Sequence, residues 1–265
     1  MKRLAFSLLL ASVVLAGTAR LSDAQDQPVQ NTPASFGQNS CSRDTLEGNR
    51  AASFRRIVPD ILCDQKTIWT SPLHLGHDRA WIPAAAVVGT TVGLVLLDPS
   101  ATPYFRRTPV FNGLDADLSG RHTAIGEVLF PVSLYAVSWL RHDAYGQRTA
   151  LLIGESLADA ELVSVVAKNV TRRLQPTDIP PHGNFSDTWF KKWNGGFPSG
   201  HTVAAFSIAT TVSRRYKSHK WVPYVAYGAA TVLAFSRITT SAHFPSDVFL
   251  GAALGYCVSR FVVLR

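Results

Sequence analysis

Beyond residue 80 the chain runs in long apolar stretches separated by short polar or Pro- and Gly-rich joints, with almost no alternation at period two. This pattern predicts helices over 80–97, 122–140, 148–170, 200–215, 221–238 and 246–263 and no sheet. The fold class it implies is all-α, a six-helix bundle. The segments 98–121 (Pro99, Pro103, Pro109, Gly113, Gly120) and 175–198 (Pro176, Pro180, Pro181, Gly183, Gly195, Gly196) carry the turn residues of long loops. No internal repeat is evident.

The first residues follow a different rule. Lys2-Arg3, an apolar run from Leu4 to Ala16 and the Ser22-Asp23-Ala24 site form a targeting segment, with cleavage after Ala24 as the preferred reading. An uncleaved anchor is the alternative, against which the apolar run is short for a bilayer span. The expected organisation is a signal peptide over 1–24, an exported and partly flexible segment over 25–79, and a bundle domain over 80–265. Residues 25 to about 50 are rich in Gln, Asn, Ser and Pro. Cys41 and Cys63 follow the leader, where an oxidising compartment allows a disulfide, whereas Cys257 lies alone in an apolar helix and reads as core.

Composition narrows the partners. With 265 residues, 46% hydrophobic and 17% charged, the chain supports one sizeable core. A formal charge of +8 and a pI near 9.7 suit an anionic partner. The basic residues fall in pairs between apolar segments, Arg55-Arg56, Arg106-Arg107, Arg172-Arg173, Lys191-Lys192 and Arg214-Arg215. No basic arm or stacking platform is present, which argues against nucleic acid.

Three runs carry candidate chemistry, and the bundle pattern puts them at one end. The end of the third predicted helix holds Lys168, the start of the fourth Ser199 to His201, the end of the fifth Arg237, and the start of the sixth His243 and Asp247. In His243-Phe244-Pro245-Ser246-Asp247 the proline starts a helix, leaving the histidine in the loop and the aspartate in the first turn. A carboxylate on one imidazole nitrogen fixes the tautomer and leaves the other nitrogen nucleophilic. The competing reading is a plain first-turn Asp247 beside an exposed His243. Pro198-Ser199-Gly200-His201 opens an apolar helix: Ser199 is either an ordinary N-cap or, with the Gly200 amide, part of an anion-binding nest beside an acid, His201. Lys168, Arg172, Arg173 and Arg237 offer positive charge for phosphate oxygens, or are helix-end cations; for Arg172 the solvated reading is preferred.

These residues resemble the type 2 phosphatidic acid phosphatase and vanadium haloperoxidase superfamily. Its pattern is Lys, six residues, Arg-Pro; then Pro-Ser-Gly-His; then Ser-Arg, five residues, His, three residues, Asp. The second element is complete at Pro198 to His201, and the third at Ser236-Arg237, His243 and Asp247. The first departs from it, since Lys168 is followed by Gln175-Pro176, a neutral amide where the family has a cation. Arg173 is a conceivable substitute. The resemblance covers about 80 to 263. It implies His243 as nucleophile forming a phosphohistidine, Asp247 as its orienting partner, and His201 as general acid. Lys168, Ser199, Gly200, Arg237, Gln175 and Arg173 are the implied phosphate-binding set, with no metal and no cofactor. The implied function is a metal-independent phosphatase, with a lipid phosphate as the preferred substrate class. A soluble periplasmic acid phosphatase, a vanadium-dependent haloperoxidase and a non-catalytic bundle are the alternatives.

Membrane placement is divided at this level. Segments 81–97, 221–235 and 247–263 are apolar enough to enter a bilayer, yet Glu155, Asp159 and Glu161 interrupt another helix and mean hydropathy is only +0.09. Arg141, Arg148, Arg214, Arg215, Lys217 and Lys220 crowd the end opposite the motifs, which places that end in the cytoplasm and the site outside. Six spans from a cleaved leader give the reverse orientation. The reading adopted is membrane association with an external, periplasm-facing site, a soluble periplasmic bundle being the alternative.

Overall fold

The computed structural model describes residues 52–74, 81–108, 110, 118–180 and 182–264. Among these it holds seven α-helices and no strand: α1 (Ile57–Thr70), α2 (Trp81–Arg107), α3 (Gly120–Leu140), α4 (Ala144–Thr171), α5 (Gly200–Arg215), α6 (Trp221–Thr239) and α7 (Pro245–Val258). A π turn, Ser259–Val263, continues α7. The leader expected over 1–24 and Cys41 lie outside the described residues. Cys63 is disulfide-bonded and Cys257 carries a free thiol. Cys257 is exposed on α7 rather than part of the core.

Three elements depart from expectation, each for an identifiable reason. Helix α1 is not apolar on its inner face: Asp60 and Asp64, one turn apart, are buried while Val58, Leu62 and Trp69 face outward. A search for an apolar inner stripe passes over such a helix. Helix α2 runs past Pro99 and Pro103 to Arg107, through what reads as the start of a loop. Its end is held from outside, because Arg106 Nη1 donates to the carbonyls of Pro176 (3.1 Å) and Ile179 (2.7 Å). Helix α4 starts at Ala144 because the Asp143 carboxylate accepts from the amides of Tyr145 (2.9 Å) and Gly146 (3.0 Å), capping its first turn.

Helix α5 is the centre, packed against α4, α6 and α7. Its inner positions are small, among them Ala204, Ala205, Ser207, Ala209, Thr210 and Thr211. Helix α7 answers with Gly251 and Gly255. A Cβ at these positions would lie 2.8 Å from Ser199 O and 2.4 Å from Val203 O, so the two backbones touch. Around this axis Leu152, Ala160, Val203, Val258, Val263 and Leu264 form one apolar cluster, with Ile68 of α1 resting on it.

The interior of the bundle mixes polar with apolar side chains, and its outer surface is apolar. Thr149, Glu155, Ser156, Asp159 and Ser164 of α4 are fully buried, whereas Leu96 and Leu97 of α2 and Val128, Leu129 and Val132 of α3 are exposed. The carboxylates that count against a bilayer in the sequence therefore point away from the outer surface. Helices α2 and α3, and α7 with its π turn, are long and apolar enough to cross a membrane. Segment 221–235, expected among them, gives way to α3. An apolar face this extensive marks a membrane-associated protein.

Close contact at Gly255 makes a direct prediction. The change Gly255→Ala puts a methyl into backbone atoms that cannot swing aside, and the expected loss is on the order of 1–3 kcal/mol. Thermal unfolding of the purified chain in detergent measures it; a melting point equal to wild type contradicts the packing described.

Candidate active site

The four helix ends that carry the motifs meet. The Ser199 amide donates to the Asp247 carbonyl at 3.0 Å, which ties the start of α5 to the start of α7. The His243 amide donates to the Arg237 carbonyl at 3.1 Å, which ties the end of α6 to the same place. Lys168 arrives from α4: a Cβ on Gly200 would stand 2.8 Å from its Nζ and 3.4 Å from Glu161 Oε1. A side chain at this position would push the ammonium aside from the helix start.

His243 is buried and its Nδ1 stands 3.5 Å from Asp247 Oδ2. That is ion-pair distance rather than a formed hydrogen bond. Oδ2 also accepts from the Phe244 amide at 2.9 Å, which fixes the carboxylate against the turn before α7. The competing reading of an exposed His243 does not hold, since the side chain is buried.

His201 is half-buried at the head of α5, and its Nε2 lies 2.9 Å from the Gly120 carbonyl. A carbonyl only accepts, so this contact keeps a proton on Nε2. Burial lowers the imidazole below its ordinary value; the Gly120 contact opposes this, and the charges of Arg237, His243 and Lys168 add to the lowering. Arg237 is 2% exposed and donates through Nη2 to the Leu118 carbonyl and to Ser236 Oγ (2.9 Å). Leu118 and Gly120, just before and at the start of α3, thus cover Arg237 and His201.

Ser199 is not a side-chain cap; its hydroxyl accepts from Thr202 Oγ1 at 3.0 Å. With its amide committed to Asp247, the orphan donors at this helix start are those of Gly200, His201 and Thr202. The stem of Gln175 runs beside Gly196, where a Cβ would be 2.9 Å from Gln175 Cγ and 3.6 Å from Asp247 Oδ2. Gln175 therefore stands on the Asp247 side of the cluster.

Arg173 occupies a different layer from the one expected of a phosphate ligand. It is 1% exposed, and its guanidinium donates to Asp247 Oδ1 (2.6 Å), Asp98 Oδ2 (2.6 Å), Ser246 Oγ (2.7 Å) and Thr188 Oγ1 (3.3 Å). Trp189 and Phe244 lie 4.5 and 4.2 Å from its Cζ. It backs the carboxylate oxygen opposite the one that faces His243. Sequence reasoning passed over Asp98, Ser246, Leu118 and Gly120. For Asp98 a signal existed, a lone carboxylate within an otherwise apolar stretch; for the carbonyls of Leu118 and Gly120 there was none.

Residues 149–265 match the model of the PAP2 superfamily. A lipid A 1-phosphatase from Porphyromonas gingivalis is 41% identical over 146 residues, 52% of this chain and 30% of that protein. A lipid A 4'-phosphatase from the same organism is 30% identical over 115 residues, 43% of this chain and 48% of that protein. The chain thus spans less than half the length of either relative. A crystal structure of a transmembrane PAP2-type phosphatidylglycerolphosphate phosphatase from Bacillus subtilis shares 20% identity, covers 78% of this chain and 92% of its own, and superposes with a TM-score of 0.41, too distant to add to the argument. Over residues 149–265, the part that holds the three motifs from Lys168 onward, the chain is therefore similar to the PAP2 superfamily.

If Arg237, Lys168 and the start of α5 surround an oxyanion, the change Arg237→Gln weakens binding of inorganic phosphate by roughly ten- to a hundredfold, the value of one charged hydrogen bond. Titration calorimetry on the purified chain checks this; unchanged affinity removes Arg237 from the anion site.

Proposed function

We propose that the protein is a phosphatase that hydrolyses the phosphomonoester or diphosphate of a lipid, without a metal, through a phosphohistidine. The observation that carries this reading is the meeting of His243, His201, Lys168 and Arg237 at one end of a bundle whose outer surface is apolar. The His243 nitrogen remote from Asp247 attacks phosphorus while the ester oxygen departs, and a phosphorus–nitrogen bond replaces the phosphorus–oxygen bond. Asp247 stabilises the imidazolium that forms. His201, as its cation, gives the leaving alkoxide its proton and then takes one from the water that splits the phosphohistidine into histidine and phosphate. Lys168, Arg237 and the amides of Gly200 and His201 hold the equatorial oxygens, and Gln175 supplies a neutral hydrogen bond where the family pattern has a cation. Ser199 acts by joining α5 to α7, and Arg173 by holding Asp247.

A lipid substrate is favoured over a soluble ester by the rim of the site. The backbone of the 188–195 loop is fastened to the end of α4 by the amides of Phe190, Lys191 and Lys192, which donate to Thr171 and Arg172 carbonyls at 2.9–3.0 Å. Phe190 and Trp193 project from it, 69% and 66% exposed, beside Lys191 and Lys192. Aromatic and cationic side chains together suit the headgroup layer of a membrane. The basic residues at the opposite end support a periplasm-facing site. The lipid A phosphatases noted above make a phosphorylated lipid A a reasonable member of the substrate class, alongside phosphatidic acid and undecaprenyl diphosphate.

Phosphate release in EDTA tests this on a lipid phosphate, a lipid diphosphate and a soluble aryl phosphate. Wild type is expected to act on a lipid substrate in the chelator, and His243→Ala to lose at least about a thousandfold. Activity lost in EDTA and restored by a divalent ion overturns the mechanism. The lowered His201 adds a pH signature. Its acid form is present below its own value and lost above it, so turnover of the lipid ester falls as pH rises from below about 6.5. An aryl phosphate, whose leaving group needs no proton, is expected to show a flatter alkaline side.

A further inference from the structure

Asp98 lies outside all three motifs and outside the segment that matches the family, on a helix whose other side chains largely face outward. It is nevertheless fully buried at the head of α7. Its Oδ2 accepts from Arg173 Nη2 at 2.6 Å and from Ser246 Oγ at 2.5 Å, and its Oδ1 accepts from the Ser246 amide at 3.2 Å. Arg173 in turn holds Asp247 Oδ1 at 2.6 Å, while Asp247 Oδ2 faces His243 at 3.5 Å. The row is therefore carboxylate, guanidinium, carboxylate, imidazole.

We propose that Asp98 is a positioning residue for the nucleophile, acting through Arg173 to set how much of the Asp247 charge reaches His243. The reasoning is electrostatic. One guanidinium between two carboxylates divides its charge between them, so Asp247 keeps a net negative field at the imidazole. Without Asp98 the whole guanidinium charge falls on Asp247, and the imidazolium formed during attack is less well stabilised. A second consequence is mechanical: the Asp98 contact to the Ser246 amide and hydroxyl fixes the first turn of α7, which carries Asp247.

This inference rests on the reading of His243 as nucleophile, and the test separates the two. The full chain in detergent is compared as wild type, Asp98→Asn, and the double variant Asp98→Asn/Arg173→Gln, with kcat, KM and the pH profile of kcat/KM on an aryl phosphate. The acid limb reports protonation of the nucleophile. In Asp98→Asn the unbalanced guanidinium disfavours the protonated imidazole, so the limb moves to lower pH by roughly half a unit or more. Turnover falls roughly tenfold or more while KM stays within about twofold. In the double variant Asp247 acts on His243 with no guanidinium behind it, and the limb moves to higher pH than wild type. Shifts of opposite sign cannot come from a loss of folded protein. Should the single variant fail to fold, the double variant is compared with Arg173→Gln: a limb at lower pH in the double variant supports the role of Asp98, and coincident limbs overturn it. Limbs that coincide with wild type in the folded variants overturn the role of Asp98. Retained activity in His243→Ala overturns instead the reading beneath it.

Discussion

One buried guanidinium holds the site together. Arg173 is enclosed by Trp189 and Phe244 and spends its donors on Asp98 of α2, Ser246 and Asp247 of α7 and Thr188 of the long loop. A cation with no exposure is costly unless its partners are fixed and complete, and here two carboxylates and two hydroxyls meet that condition. The converse also holds. Two buried carboxylates a few ångströms apart need the cation between them, so α2, α7 and the 188–195 loop can assemble in only one register around it.

That constraint explains why a site built from four helix ends has a definite geometry within the bundle. The Gly251 and Gly255 contacts bring α7 against α5 until the Ser199 amide reaches the Asp247 carbonyl. Covering groups at Leu118 and Gly120 then hold the two side chains Arg237 and His201 from the third direction. Within an apolar surround each of these polar contacts is worth more than it would be in water, and each is more costly to leave unmade.

Much of this was legible in the sequence, for identifiable reasons. The all-α class and the helices from α3 to α7 follow from apolar stretches that packing did not overrule, and the meeting of Lys168, His201, Arg237, His243 and Asp247 follows from helix order alone. What escaped depends on partners remote in the chain. Helix α1 hides two aspartates on its inner face, and α2 survives two prolines because Asp98 and Arg106 anchor its end. Arg173 reads as another candidate phosphate ligand until Asp98, 75 residues away, is seen to share it. The lone acid in an apolar segment was the one clue to that pairing.

The covalent step proposed at His243 is the central claim, and trapping tests it directly. The His201→Ala variant, given a radiolabelled aryl phosphate, forms the intermediate without needing an acid but lacks the base that helps water remove it. The account predicts label on the peptide containing His243, lost in acid and kept in alkali as a phosphorus–nitrogen bond requires. Label on Ser199, or no trapped label while product still forms, contradicts it.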